Sequence, residues 1–335
     1  MSTPTNIRGR DFVRIGIAKA LVGGGKGVEI FANARYGAVD GARIAKAAVA
    51  ALTSSDVGTE PARTFIAGVV EKAVLGLMRG RPMTPLNTRV RGLSQGARGH
   101  FILEAAPIPL SKQSVDGFVL SPLKVAALVV TTKEALSSLD PLAESGLQQD
   151  LQNACRAALD VAFLDPSNSG TPNLIPASVT HGAPTIVATS DPVADLKALI
   201  AAFKGDISAA VAVTDAETAV ALAMVQTATG AFLHPDCGAR GGSLVGIPLL
   251  VTADSPRDST GGQLALIDPT GIAWNVDDVQ LDVATATSLD MSDSPSGPSE
   301  QVSLFQTNSA AWRVIIHANW ENQRTGGVAV LTGIV

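Results

Sequence analysis

Residues 121–175 read SPLKVAALVVTTKEALSSLDPLAESGLQQDLQNACRAALDVAFLDPSNSGTPNLI, and this stretch decides the fold. Its opening belongs to GFVLSPLKVAALVVTT (117–132), an apolar, β-branched run that predicts a long buried strand. The clearest helix of the chain follows, from about 141 to 164. Asp140 stands where an N-cap belongs and Pro141 at the first helical position, where the missing N–H costs nothing. Leu142, Leu147, Leu151, Ala154 with Cys155, Ala158 with Leu159, and Ala162 with Phe163 mark one face. At ~1.5 Å per residue the helix spans roughly 35 Å, long for a compact domain. Asp165-Pro166 and SNSGTPN then form a turn-rich exit.

Toward the N-terminus, NTRVRGL (87–93), HFILEA (100–105) and the Pro-rich APIPLSK (106–112) predict an extended hairpin leading into that strand. A two-stranded hairpin has little core of its own, so its support is expected from outside the chain. Further back, 11–22, 38–52 and 62–79 read as helices, the last with Phe65, Val69, Ala73 and Leu77 on one face. Gly23–Gly27 breaks the first of them as a flexible hinge. Toward the C-terminus, Asp191-Pro192 opens a helix whose Val193, Leu196, Leu199, Ile200 and Phe203 face inward. A strand at 207–213 leads to Thr214-Asp-Ala-Glu217, a capping box for the next helix. Strands follow at 246–252 and 263–268, and VQLDVATA precedes a Ser/Pro/Gly loop at 292–299. Two long strands at 301–318 and 327–335 close the chain. Helices and strands mix without regular βαβ repetition, which predicts an α+β fold with no internal repeat.

Composition bounds the function. Of 335 residues, 46% are hydrophobic and 16% charged, a globular balance. No run of eighteen apolar residues and no leader with a cleavage site is present, which argues against a membrane partner. Cys155 and Cys237 read as free thiols. Net charge is −5, but residues 1–100 carry fifteen Lys/Arg against six Asp/Glu (+9) and residues 101–335 ten against twenty-four (−14). A basic arm of this kind meets something acidic, either the body of a neighbouring copy or nucleic acid. Only four aromatics (Phe12, Phe31, Tyr36, Phe65) lie in the first hundred residues, which favours the neighbouring copy.

Catalytic patterns are wanting. Gly23–Gly27 lacks the upstream Gly and the following Ser/Thr of a phosphate loop. His234, Asp236 and Cys237 form the one tight ligand-like cluster, but no CxxC partner accompanies it, and a Gly-rich turn accounts for HPDCGARGG. His100, His181 and His317 lie in unrelated segments, and Ser243 fails the nucleophile-elbow pattern at Val245. Asp277, Asp278, Asp282, Asp290 and Asp293 lack an EF-hand's Gly and closing Glu, and read as a solvated acidic face. The expectation is no catalytic residue, no cofactor and no metal.

Three segments carry a resemblance. In 121–175, Lys124, Ala127, Thr132, Glu134 and Leu136 lead into the long helix. Residues 241–256 (GGSLVGIPLLVTADSP) form a Gly-Gly-x-Leu-x-Gly-x-Pro turn and strand. Residues 303–333 carry Phe305, Asn308 and Arg313 before a Val-Ala-Val strand. Together they resemble the major capsid proteins of tailed bacteriophages, whose type is the Hong Kong 97 capsid. The resemblance covers roughly 80–335 and implies a Hong Kong 97-type capsid fold. Residues 1–84 become an N-terminal arm and helices, and 85–125 an extended E-loop that lies across a neighbouring subunit. A P-domain takes 126–174 and 301–335, with the helix 141–164 as its spine, and an A-domain takes 175–300. It implies hexamers and pentamers closing into an icosahedral shell that encloses double-stranded DNA without sequence-specific contact. Portal, scaffolding and decoration proteins are the further partners, with assembly in the bacterial host cytoplasm and residence in the virion. Arg8, Arg10, Arg14, Arg35, Arg98, Phe101, Glu104, Lys112 and Asp116 are the candidates for contacts between subunits. Some relatives cross-link an E-loop lysine to an asparagine. Lys112 lies in the right loop, but 287–300 (TSLDMSDSPSGPSE) offers no asparagine. No heptad scaffolding segment is found, so scaffolding is a separate or already removed protein. An encapsulin-like nanocompartment shell is the alternative within the fold, and an unrelated α/β enzyme the remote one.

Overall fold

The computed structural model describes residues 10–22, 26–37, 40–42, 44–45, 59–78, 83–95, 114–138, 141–226, 230–292, 301–324 and 326–334. Two compact units divide the chain. One holds residues 1–73, 124–159 and 276–317, the other 74–123, 160–275 and 318–335.

In the first unit, helices Arg10–Val22, Lys26–Tyr36 and Thr59–Val70 gather with the long helix, which runs Pro141–Leu164 as expected. Phe12 stacks on Phe65 with ring centroids 4.5 Å apart. Gly16 lets the first helix approach Trp312, since a Cβ there would lie 2.7 Å from the indole ring. Lys26 and Gly27 open the second helix and so do not extend the predicted hinge; Gly23–Gly25 lie outside the described residues. Asp140 and most of 38–52 also lie outside them.

The helix expected over 62–79 stops at Val70, and a turn separates it from Val74–Leu77 in the second unit. The Val74 amide donates to the buried Asp160 carboxylate at 2.9 Å, which caps the start of the short helix. Leu75 is consequently buried, and Leu77, placed inside by periodicity, is exposed. The strand Leu123–Thr132 is half-buried and not fully buried, because it lies at the edge of a three-stranded sheet, beside Ser309–Asn322, with Ile272–Ala284 at the opposite edge.

The second unit is built on an eight-stranded mixed sheet. Gly261–Ile267 lies near its centre, antiparallel to Val328–Ile334 on one side and to Val211–Thr214 on the other. Thr185–Val187 runs parallel to the closing strand, and Ile247–Val251 parallel to Val211–Thr214. Helices Pro192–Ala202 and Ala216–Met224 cover the sheet with Leu196, Leu199, Phe203, Ala219 and Leu222 against Leu249, Leu264, Leu266 and Leu331. Residues 318–335 belong to this unit with 160–275, and Val328–Ile334 completes its sheet.

Local signals were read with mixed success. Asp191 caps its helix as predicted, accepting from the amides of Val193 and Ala194. Val193 is exposed, however, and Asp195 takes the inward position, bound by the Thr189 amide and hydroxyl at 2.7 Å each. At the next helix the cap is Asp215, which accepts from Glu217 and Thr218, in place of the predicted Thr214. Thr214 is still in the sheet and donates its hydroxyl to Gln263 O. Glu217 pairs with Arg257 and does not fold back on the cap. The strand expected at 207–213 begins only at Val211, after a turn at Ile207–Ala209.

Candidate functional site

The hairpin is the element whose support lies furthest from its own sequence. Arg89–Gln95 pairs antiparallel with Ser114–Val119, with Arg89 opposite Val119 and an irregularity between Leu93 and Gln95. Among the described residues these two strands form a sheet of their own. Its root is fastened firmly to the second unit. The Asn87 amide donates to Leu120 O at 2.9 Å, and the Thr84 amide to Trp274 O at 2.9 Å. Asn275 Nδ2 donates to Thr84 O at 2.7 Å in a buried position, and Asn319 Nδ2 to Ser121 O at 2.6 Å. Leu120 is 1% exposed. A ribbon of two strands is marginal alone, and these bonds hold its root.

The candidate contact residues separate sharply. Arg8, Arg98, Phe101, Glu104 and Lys112 lie outside the described residues. Asp116 stands in the hairpin, in register with Gly92. Arg10 is half-buried at the start of the first helix. Arg14 and Arg35 pair within the subunit. Arg14 Nε lies 3.2 Å from Glu144 Oε2, and Arg35 Nη2 3.4 Å from Glu144 Oε1. Tyr36 OH donates to the same carboxylate at 3.3 Å, and Arg14 sits 4.6 Å above the Tyr36 ring. Burial, followed by the Glu144 charge, pushes the Tyr36 hydroxyl well above its ordinary range. Arg14 is 7% exposed and Glu144 2%, so both charges are out of water and require one another. This knot ties the first two helices to the long one.

Sequence reasoning missed Glu144 and its neighbours. Gln148 and Gln152 continue the same line at i+4 and i+8, and both are buried. Gln152 donates to Phe65 O at 3.3 Å. Their spacing was available, but polar residues at helical spacing look like a solvated face until a partner helix is known.

Two of the segments that carry the resemblance meet in the first unit. The Lys133 amide donates to Asn308 O at 2.9 Å, and Asn308 Nδ2 donates to the Glu134 carboxylate, which holds that carboxyl below its usual range. The segment at 241–256 is a tight hairpin, with Leu244 opposite Ile247. Both turn residues take positive φ, Val245 at 54° and Gly246 at 82°. A left-handed pair matches the strand twist, but Val is an uncomfortable occupant.

The His234 loop offers no activated nucleophile. Cys237 Sγ donates to Ser243 O at 3.1 Å, and burial, then Asp236, raises its thiol pKa. Burial lowers the pKa of His234. A thiol held protonated is a weak nucleophile. No group of three or more His, Cys, Asp or Glu able to hold a metal occurs among the described residues. Nor is any described helix long and apolar enough to cross a membrane.

A two-unit α+β chain with a long helix, a mixed sheet and a rooted, coreless ribbon has the architecture of a capsid subunit. The model of the phage capsid family matches residues 61–333, and the chain belongs to that family. It is 32% identical over 346 residues to the capsid polyprotein of Pseudomonas phage PAJU2, covering 96% of this chain and 51% of the relative. The chain thus spans about half the length of that curated relative. Among solved structures, a chain from Mycobacterium phage Adephagia superposes with a TM-score of 0.56 at 15% identity, covering 78% of this chain and 89% of that one. The capsid of a native GTA particle superposes with a TM-score of 0.53 at 14% identity, covering 81% and 91%. These likenesses establish the Hong Kong 97-type capsid fold.

Proposed function

We propose that this chain is the major head protein of a tailed bacteriophage, forming hexamers and pentamers that close into an icosahedral shell around double-stranded DNA. The observation that carries the reading is the hairpin Arg89–Val119. Its root is closed by the Asn87–Leu120 bond and held to the rest of the unit by three further hydrogen bonds, and it has no third strand among the described residues. Such a ribbon gains its apolar contacts from a neighbour. Its role is binding energy and not catalysis: modest contacts, repeated by closed symmetry, sum to a stable shell. The E-loop (85–125) reaches the neighbour, the spine helix stiffens the P-domain, and the A-domain gathers around the capsomer axis. Arg98, Phe101, Glu104, Lys112 and Asp116 supply the contact. Portal, scaffolding and decoration proteins complete the head.

Electron microscopy of the purified full-length protein tests this directly. Icosahedral shells of the size of phage heads are the expected result. Small closed shells filled with protein cargo would favour a nanocompartment, and compact oligomers would overturn the reading. Phe101→Ala should lower the disassembly temperature of shells while leaving the isolated subunit's melting unchanged. Boiled shells should run as one band at the 34.2 kDa monomer mass. A covalent ladder would mean that Lys112 finds an acceptor.

A further inference from the structure

Apart from the hairpin root, the second unit contains a cleft of about 450 Å3, within the size range of binding pockets. His181, Lys204 and Arg324 line it, with the Asn322 amide and Gly182 and Gly326, and no Asp or Glu is among its lining residues. The Arg324 guanidinium is positioned from behind. Arg324 Nη1 lies 3.1 Å from the buried Asp268 Oδ2 and 3.1 Å from Thr270 Oγ1, while its side chain remains 55% exposed. The Lys204 amide donates to Gly326 O at 2.9 Å, and the side chain is exposed. His181 Nδ1 is 2.9 Å from Pro166 O, a pure acceptor, so Nδ1 carries the proton. The nearby carboxylates are already engaged. Asp206 accepts from the Ser208 amide and hydroxyl, and Asp268 from the amides of Asp206 and Thr270. A basic cleft stands out on a chain whose residues 101–335 carry a net −14.

We propose that this cleft is a carboxylate-binding site that receives an acidic side chain from a second copy of the chain. The inference rests on the shell-building reading and adds to it a specific contact. Between bodies of like net charge, opposite charges that face one another offset the repulsion, and a closed shell repeats any such contact in every copy. The surface offers acids to fill it, Asp150 and Asp236 being exposed. A nucleic-acid site would ask for a stripe of cations tracking successive phosphates and for aromatic faces beside them. The cleft has neither.

Carbodiimide coupling joins an amine to a carboxylate in direct contact, and it reads this arrangement directly. Shells assembled from mixed isotopically labelled and unlabelled full-length chains should yield a peptide joining Lys204 to an Asp or Glu of the other label. Lys204→Glu should raise the protein concentration needed for assembly by about tenfold, with the gap narrowing in 1 M salt. Lys204→Arg should assemble like the wild type. Lys197→Glu, a charge reversal on an exposed helix of the same unit outside the cleft, should do the same. Absence of the Lys204 cross-link from shells in which other lysines couple would overturn the site. So would loss of coupling on adding duplex DNA with assembly unchanged, which would assign the cleft to phosphate. A protein that forms no shell would sink the shell reading. Absence of the Lys204 link from its oligomers would sink this inference separately.

Discussion

The two compact units are held together by opposite chemistry. The unit on the eight-stranded sheet closes two helices over leucine, alanine and phenylalanine. The other also has aromatic contacts, but its N-terminal helices are fastened to the long helix by Glu144, Arg14, Arg35 and Tyr36. Apolar burial is non-directional, so the first arrangement tolerates change of shape while volume is kept. A buried ion cluster has one workable geometry, because each charge has lost its water and depends on its partners. One unit is closed by volume, whereas the other adds to its apolar core a tie of fixed geometry.

The largest expected effect comes from breaking the geometric tie. Glu144→Ala leaves the Arg14 guanidinium buried and unpaired and should cost about 3–5 kcal/mol in chemical denaturation. Glu144→Gln should recover little of it. A loss below about 1 kcal/mol would show that the knot does not fasten the helices. On the other side, Leu264 is fully buried at the centre of the sheet. Leu264→Ala should cost about 2–5 kcal/mol, and Leu264→Met less than about 1.5. The contrast sharpens if the conservative change is tolerated at Leu264 and refused at Glu144.

A smaller effect probes the charge that the apolar unit does bury. Burial pushes the Asp268 carboxyl up, but the Thr270 hydroxyl, the amides of Asp206 and Thr270 and then Arg324 outweigh it, so its pKa falls below the usual value. A carboxyl lowered in the fold contributes stability that is present above its unfolded pKa of about 4 and lost as pH falls through the folded value. Melting temperature followed from pH 7 to pH 2 should therefore drop below pH 4. Asp268→Asn should weaken that drop and cost roughly 1.5–3 kcal/mol at neutral pH. An unchanged acid limb would place the titration elsewhere. The smallest effect has the opposite sign. Val245 holds φ 54° in an exposed turn, and Val245→Asn should stabilise the second unit by about 1 kcal/mol, seen as a higher melting temperature. No gain would mean that the turn relaxes without cost.

Legibility followed the same division. Leu151, Cys155, Leu159 and Phe163 were placed on the inner face of the long helix by spacing alone, and all four are buried. Ala154 and Ala158 were placed beside them and are exposed, because alanine carries too little apolar area to declare a side. Glu144 was invisible because its burial depends on arginine and tyrosine more than a hundred residues away in sequence, and Gln152 because it bonds the Phe65 carbonyl of another helix. The pairing of Arg14 and Arg35 with Glu144 was out of reach for the same reason.

By itself the sequence determined the α+β character, the long helix and its approximate span, the Asp191 cap, the first arm of the hairpin and the family to which the chain belongs. These are properties of local spacing and of motif order, which need no knowledge of what lies across the core. Tertiary structure alone decided the break after Val70, the assignment of 318–335 to the sheet unit, and the inward turn of Arg14 and Arg35. It also decided the gathering of His181, Lys204 and Arg324 around one cleft. Each depends on groups distant in the chain satisfying one another's hydrogen bonds and charges, and no periodicity within a segment encodes its partner.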